Sequence, residues 1–310
     1  MKHNCMVILG ATASGKTKLA CALAYNIGGE IISADSRQVY KYLNIGTGKD
    51  LSEYEINGEK IPYHLMDIVE PQEQYYLHQF INDLRASFLD ISSRNKMPII
   101  CGGTGLYLDA LHKDFSLTDV KENIELRNKL ALLSKDELID KIKAYPEELW
   151  NSVDIHSKKR LIRGIEIADY KIKNQVSTSI TEHARVNNLY RPIYFGILQS
   201  IEERKEKIND RLKSRLNEGL IEEVEALLKM GIKHDRLQRF GLEYKFVSKY
   251  ILKELSKDEL FTKLQTAIHQ FAKRQMTWFR KMEKENVEIH WLNSSDSIDV
   301  NVIKIKSLLD

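Results

Sequence analysis

The hydrophobic pattern changes character twice along the chain. From Met1 to about Lys113, short unbroken apolar runs alternate with stretches of helical period, the pattern of βαβ units in a parallel sheet. "CMVIL" (5–9) predicts a buried strand, followed by a helix from Thr17 to about Ile27. "EIISAD" (30–35) predicts a second strand and "YHLMDIV" (63–69) a third. In "HQFINDLRASFLDISSRNK" (78–96), Phe80, Ile81, Leu84, Phe88 and Ile91 fall on one helical face. "MPIICGG" (97–103) then reads as a buried strand ending in two glycines.

After Lys113 the strand signals vanish until about Asn188, and charged helical segments such as "IHSKKRLIRGIEIADYKIK" (155–173) take over. "PIYFGILQ" (192–199) predicts a returning strand. Beyond it the spacing predicts one long helical segment over Ile201–Met230 ended by Gly231, a second over Tyr244–Leu255 and a third over Leu260–Glu285. "VEIHWL" (287–292) predicts a last strand. Three parts are expected: a first part of an α/β core (1–113), a helical insertion domain (114–190), and a return to the core with long C-terminal helices (191–310).

Composition narrows the classes. With 310 residues, 43% apolar and 29% charged, the chain reads as an ordinary folded protein. Its net charge of +3 leaves any nucleic-acid footprint local. No apolar stretch approaches the roughly 20 residues of a membrane helix. Cys5, Cys21 and Cys101 are odd in number, far apart and flanked by apolar residues, so they read as buried thiols and place the chain in the cytoplasm.

Chemistry enters at "GATASGKT", where Gly10, Gly15, Lys16 and Thr17 have the G-x-x-x-x-G-K-[ST] spacing between a strand and a helix. The glycines let successive N–H groups of Gly10, Ala11, Thr12, Ala13, Ser14 and Gly15 turn inward, and the helix N-terminus adds positive potential. Lys16 supplies a full charge to a terminal phosphate, and the Thr17 hydroxyl suits Mg²⁺. The expected fold is therefore P-loop NTPase-like, and the ligand a polyphosphate with Mg²⁺, not yet ATP. A hydrolase would also need an acid ending an apolar strand. Asp67 is a poor candidate, because Tyr63 and His64 dilute its strand, and the strand at 97–103 ends without an acid.

Open parallel sheets bind ligands beyond the carboxyl ends of their strands. "SADSRQVY" (33–40) brings Asp35, Ser36, Arg37 and Gln38 there, and "GGTGLY" (102–107) brings Thr104. Asp35 is either a turn cap or a carboxylate facing the phosphate site, able to take a proton from a nucleophile. Thr104 is either a helix N-cap or a hydroxyl approaching a ligand past two glycines.

"GATASGKT", "IISADSRQVYKYLNIGTGK", "PYHLMDIVEP", "IICGGTGLYLDAL" and "KRQMTWFR", in that order and over nearly the whole chain, resemble the tRNA dimethylallyltransferase (tRNA isopentenyltransferase) family in its compact bacterial form. No cysteine follows Cys101, so the C-terminal zinc finger of some eukaryotic members is not expected. The resemblance implies transfer of a dimethylallyl group from its diphosphate to the exocyclic N6 amine of the adenosine just 3′ of a tRNA anticodon. The loop would then cradle a departing diphosphate, for which no hydrolytic water is wanted. It implies Asp35 as the base, Thr104 between diphosphate and incoming base, and Lys16 as the third catalytic group. It also implies that Asp35, Ser36, Arg37, Gln38 and Thr104 meet the target nucleotide.

Further tRNA contacts are expected from Arg127, from Lys158, Lys159, Arg160 and Arg163 in "HSKKRLIR", and from Lys273 and Arg274 in "FAKRQMTWFRKM". A solvated basic face is the plainer reading of the first cluster, and the aromatics Trp278 and Phe279 read as core. The family's arginine pair at the head of the long helix falls on Ile201 and Lys207, leaving Arg204, Lys207 and Arg211 as candidates for the diphosphate. The family's usual "IGYKE"-like turn is here "FGLEYK" (240–245), a departure, so contacts of that loop are not carried over residue by residue. Expected partners are the tRNA anticodon stem-loop and dimethylallyl diphosphate, with no membrane and the chain acting as a monomer. A small-molecule or nucleotide kinase shares the P-loop but needs no insertion or basic helix. An adenylate isopentenyltransferase keeps the chemistry with free AMP as acceptor, and a non-catalytic RNA-binding protein would not need Asp35 or Thr104.

Overall fold

The computed structural model describes residues 2–113, 120–151, 153–174 and 189–309, arranged as two compact units. The larger comprises Met1–Lys113 with Asn188–Asp310, and the smaller spans Asp114–Asn187. The stretch 175–188, counted in the insertion by sequence, lies outside the described residues.

In chain order, the larger unit begins with β1 (Cys5–Gly10), α1 (Lys16–Ile27) and β2 (Glu30–Ser33), followed by a hairpin of β3 (Glu55–Ile56) and β4 (Glu59–Lys60). It continues with β5 (Tyr63–His64), α2 (Leu77–Ser93), β6 (Pro98–Gly102) and α3 (Gly105–Asp109). A six-stranded sheet is completed by two strands after the insertion, Pro192–Leu198 and Ile289–Asn293; all its pairings are parallel. β6 and the 192–198 strand flank β1, so the loop after β1 leaves the middle of the sheet at its carboxyl edge. β1, β2 and β6 are buried along their whole length, which is why they read as unbroken apolar runs. The three cysteines are buried and free, with burial pushing the Cys5 and Cys101 thiols up to about 12.

Two expectations are corrected here. The strand at 63–69 stops after His64, because Leu65 (φ 62°) and Asp67 (φ 55°) adopt left-handed backbone that extended structure excludes. That turn brings the Asp67 carboxylate to 2.5 Å from the Nζ of Lys49, whose side chain is fully buried and needs the counter-charge. The single helical segment over 201–230 is two helices, Ile201–Asn217 and Leu220–Lys229, broken where Gly219 takes φ 105°.

The smaller unit contains α4 (Ile124–Ala131), α5 (Lys135–Lys143) and α6 (Lys158–Lys173), packed on Leu130, Leu138, Ile142, Leu161 and Ile165. Its polar centre is Glu166, buried and accepting from Asn123 N–H (2.5 Å), Arg127 Nε (3.0 Å) and Nη2 (2.7 Å), and Arg163 Nη1 (2.5 Å). Burial alone would raise its pKa, but the two guanidiniums hold it below the usual carboxylate range. Removing the carboxylate leaves Arg163 without an ion-pair partner among the described residues and Arg127 with only Glu122 (2.8 Å), a loss of about 3 kcal/mol, the low end for a broken buried pair because both guanidiniums are partly exposed. Glu166→Leu is therefore expected to speed hydrogen exchange throughout α4–α6 by orders of magnitude while the amides of β1, β2 and β6 stay protected. Unchanged exchange in α4–α6 would refute this.

After the insertion come β7 (Pro192–Leu198), α7 (Ile201–Asn217), α8 (Leu220–Lys229), α9 (His234–Leu237), α10 (Leu242–Ile251), α11 (Lys257–Lys284), β8 (Ile289–Asn293) and α12 (Ile298–Ser307). α11, opened by a Ser256–Glu259 capping box, packs its apolar face on α7, α10 and α3. This stacking sets α7 and α11 over the carboxyl edge of the sheet.

Candidate active site

A cavity of about 800 Å³ opens at that edge, walled by Thr12–Thr17, Asp35–Gln38, Gly46–Gly48, Gly103–Leu106 and residues of α7, α10 and α11. The P-loop, Asp35 and Thr104, far apart in sequence, thus share one space. Gly10 and Ala11 sit behind it, buried, and the lining begins at Thr12. A Cβ on Gly10 would come within 2.5 Å of Ser14 Oγ, so the loop folds this tightly only with glycine there.

Lys16, half-buried at the start of α1, is held below the usual lysine range by desolvation; Cys101 opposes the shift and Arg211 adds to it. Burial, with Arg215 nearby, pushes Arg211 down to about 9. Arg211 also donates to Thr12 Oγ1. Cations crowded into poor solvent repel one another, and an anion between them would relieve that repulsion.

Asp35 realises the plainer reading and leaves the sharper one standing. Its Oδ1 accepts from Arg37 N–H at 2.8 Å, an Asx turn, while its other oxygen has no partner among the described residues. Thr104 precedes α3 but does not cap it with its side chain; its Oγ1 accepts instead from Ser36 N–H at 3.1 Å. Thr104 and the Asp35 turn are therefore tied directly together. The Gln38 amide is consumed structurally, accepting from Ser33 Oγ and donating to Gly48 O, both at 2.9 Å.

The cation candidates separate. Lys207 and Arg211 line the cavity and Arg204 does not. Lys207 also pairs with Glu203 at 2.7 Å. Arg274 lines the cavity, whereas Lys273, its neighbour on α11, does not. In the smaller unit, Arg127 and Arg163 are spent on Glu166, Lys158 donates to Ala131 O and Arg160 pairs with Asp154. Lys159 is exposed and has no ion-pair partner among the described residues. For Arg127 and Arg163 the structural role is explicit: they are braces of a buried carboxylate.

Several residues of the cavity carry no signal in the sequence. Asp50 and Glu53 line it from the turn at Leu51–Tyr54, and burial with the Asp50 charge raises the Glu53 pKa. Arg215 lies beneath Gly46–Gly48, 3.4 Å from Glu243. Gln275 reaches in from α11, and Trp278, expected in the core, lines the wall while Phe279 is fully buried. Arg239, just before the 240–245 turn, and Lys245 within it join Arg37 and Arg274 as exposed lining cations without ion-pair partners among the described residues. Outside the cavity, Asp109, His112 and Glu285 cluster closely enough to share an ion, but Lys113 already bridges the carboxylates at 2.8 and 2.6 Å.

Residues 38–282 match a family model described as IPP transferase, and residues 3–65 match one described as isopentenyl transferase. Over 308 residues the chain is 47% identical to tRNA dimethylallyltransferase 2 of Phocaeicola vulgatus, covering 99% of this chain and 98% of that one. The crystal structure of a tRNA delta(2)-isopentenylpyrophosphate transferase from Staphylococcus epidermidis aligns with a TM-score of 0.68 at 31% identity, covering 98% and 97% of the two chains. A eukaryotic dimethylallyltransferase acting on tRNA has a TM-score of 0.77 at 24% identity over 94% of this chain and 74% of that one, a likeness of fold.

Proposed function

The chain belongs to the IPP transferase family, and from that premise we propose that it is a tRNA dimethylallyltransferase using dimethylallyl diphosphate as donor. The acceptor is the exocyclic N6 amine of the adenosine 3′-adjacent to the anticodon. One observation carries the reading of the site: the P-loop, Asp35 and Thr104 line one cavity that also takes in exposed cations.

The donor's diphosphate lies against the N–H groups of the P-loop with Lys16 and Arg211, where crowded positive charge is relieved by it. The bond between the allylic carbon and the diphosphate oxygen breaks, and its electron pair leaves with diphosphate. The amine nitrogen bonds to the allylic carbon, and the oxygen of Asp35 not engaged by Arg37 accepts the amine proton. Thr104, held by Ser36 N–H, stands between the two halves. The Thr17 hydroxyl and the Asp50 and Glu53 carboxylates are hard oxygen donors in the same cavity, a set that fits Mg²⁺. When bound, that ion neutralises charge on the leaving diphosphate. Trp278 and Phe271 offer apolar faces to the allyl group or a splayed base, and Arg37, Arg239, Lys245 and Arg274 offer charge to RNA phosphates. Among the described residues no helix is long and apolar enough to cross a membrane.

The test is direct. The protein is incubated with Mg²⁺, dimethylallyl diphosphate and unmodified tRNA, and in parallel with AMP, and the nucleosides are weighed after digestion. The expected result is a dimethylallyl increment on adenosine from tRNA alone. An increment on AMP would move the acceptor to the free nucleotide, and none in either tube would overturn the reading.

A further inference from the structure

Gln275 is a polar residue at a position where α11 otherwise buries apolar side chains, and it is 7% exposed. Its Oε1 accepts from Thr12 N–H at 2.9 Å, and its Nε2 donates to Gly103 O at 2.9 Å. Those backbone groups belong to different halves of the site: Thr12 opens the lining of the P-loop, and Gly103 precedes Thr104. The approach is tight, since a Cβ on Gly103 would lie 2.4 Å from Gln275 Nε2. Thr12 is fixed again on its far side by Arg211, and Thr104, the chain neighbour of Gly103, by Ser36 N–H in the Asp35 turn. A continuous chain thus runs from Arg211 through Thr12, Gln275 and Gly103 to Thr104 and the Asp35 turn. A buried amide without partners is costly, so an apolar residue of the same length would fill this place more cheaply if packing were its only task.

Resting on the proposed transfer reaction, we infer that Gln275 is a positioning residue that sets the separation between the leaving-group cradle and the acceptor-facing side. Both of its amide atoms are spent on backbone, so it acts through Thr12 and Gly103. Its first consequence is that Thr12 N–H is committed to the strut and, with Ser14 N–H donating to Ala11 O at 3.3 Å, the diphosphate is received by the N–H groups of Ala13, Gly15, Lys16 and Thr17. Its second is that Thr104 is held at a set distance from the cradle, and a displacement of about 1 Å in such an arrangement costs about 10²-fold in rate.

The experiment is a double-mutant cycle. Gln275→Met and Gln275→Glu are made in the wild-type and Thr104→Ala backgrounds. Single-turnover rate constants are measured with saturating dimethylallyl diphosphate and tRNA, normalised to the folded fraction from each melting curve. Pyrophosphate with Mg²⁺ is titrated calorimetrically as the probe of the cradle. Gln275→Met is expected to lower the rate about 10²-fold with pyrophosphate affinity within about threefold of wild type. In the Thr104→Ala background the same change is expected to cost under about fivefold, because the residue it positions is gone. A full loss repeated in the Thr104→Ala background, or pyrophosphate affinity falling in step with rate, would overturn the inference. Wild-type protein that transfers nothing would instead refute the proposed function, so the two failures are distinguishable.

Discussion

Asp35→Asn is expected to lower the single-turnover rate constant by about 10³-fold while dimethylallyl diphosphate binds almost as before. The substitution keeps the side-chain oxygen that accepts from Arg37 N–H, so the turn survives and the Ser36 N–H still reaches Thr104. What disappears is basicity. The adenine amine is a weak nucleophile because its lone pair is shared with the ring, and bond formation leaves a proton that must go somewhere. Without a carboxylate it goes to water, which positioned general bases outperform by 10²–10⁴-fold. Asp35→Ala removes the turn contact as well, and its excess loss over Asp35→Asn measures that contact. The check is rapid-quench kinetics with saturating donor and tRNA, beside a pyrophosphate titration. Wild-type rates in Asp35→Asn would leave Asp35 as a turn residue only.

How much of this was legible depends on what each residue's neighbours reveal. The P-loop announces itself because strand, glycines, lysine and helix are contiguous. Asp35 and Thr104 were legible for a different reason: both directly follow buried parallel strands, and every such strand end faces the same edge. Gln275 lies within "KRQMTWFR", where its role stays hidden, since a polar residue in a 28-residue amphipathic helix looks solvated until the helix is docked. Asp50 and Glu53 escaped because an acid was sought at a strand end, and these lie at a short turn ahead of a hairpin. Helical phase explains the cations: Arg204, Lys207 and Arg211 lie near one face, but Arg204 is about 10 Å further along the axis than Arg211. Periodicity reveals the face and leaves open which turn borders the cavity. The strand at 63–69 failed for a tertiary reason, the demand of buried Lys49 for the Asp67 carboxylate, which overrides local preference.

Lys16→Ala is expected to produce the opposite signature, weakening diphosphate binding itself by about 10- to 100-fold as well as slowing transfer. Burial lowers the Lys16 pKa, and Arg211 adds repulsion, so the ammonium is held at a cost that an anion relieves. Charge on the departing diphosphate grows as the allylic bond breaks, and a cation fixed in a dry site stabilises that growth without reorganising. Arg211 remains in the variant and supports residual activity. The sign of the pH effect follows: diphosphate binds the protonated lysine, so in wild type the Lys16 contribution to affinity is fully present below its lowered pKa and is lost as pH rises through it. In Lys16→Ala that portion of the decline is absent. Calorimetric titration of pyrophosphate with Mg²⁺ across a pH series reads both effects. Equal affinities and equal pH profiles in the two proteins would remove Lys16 from the cradle, and a loss of rate without loss of binding would assign it to the transition state alone.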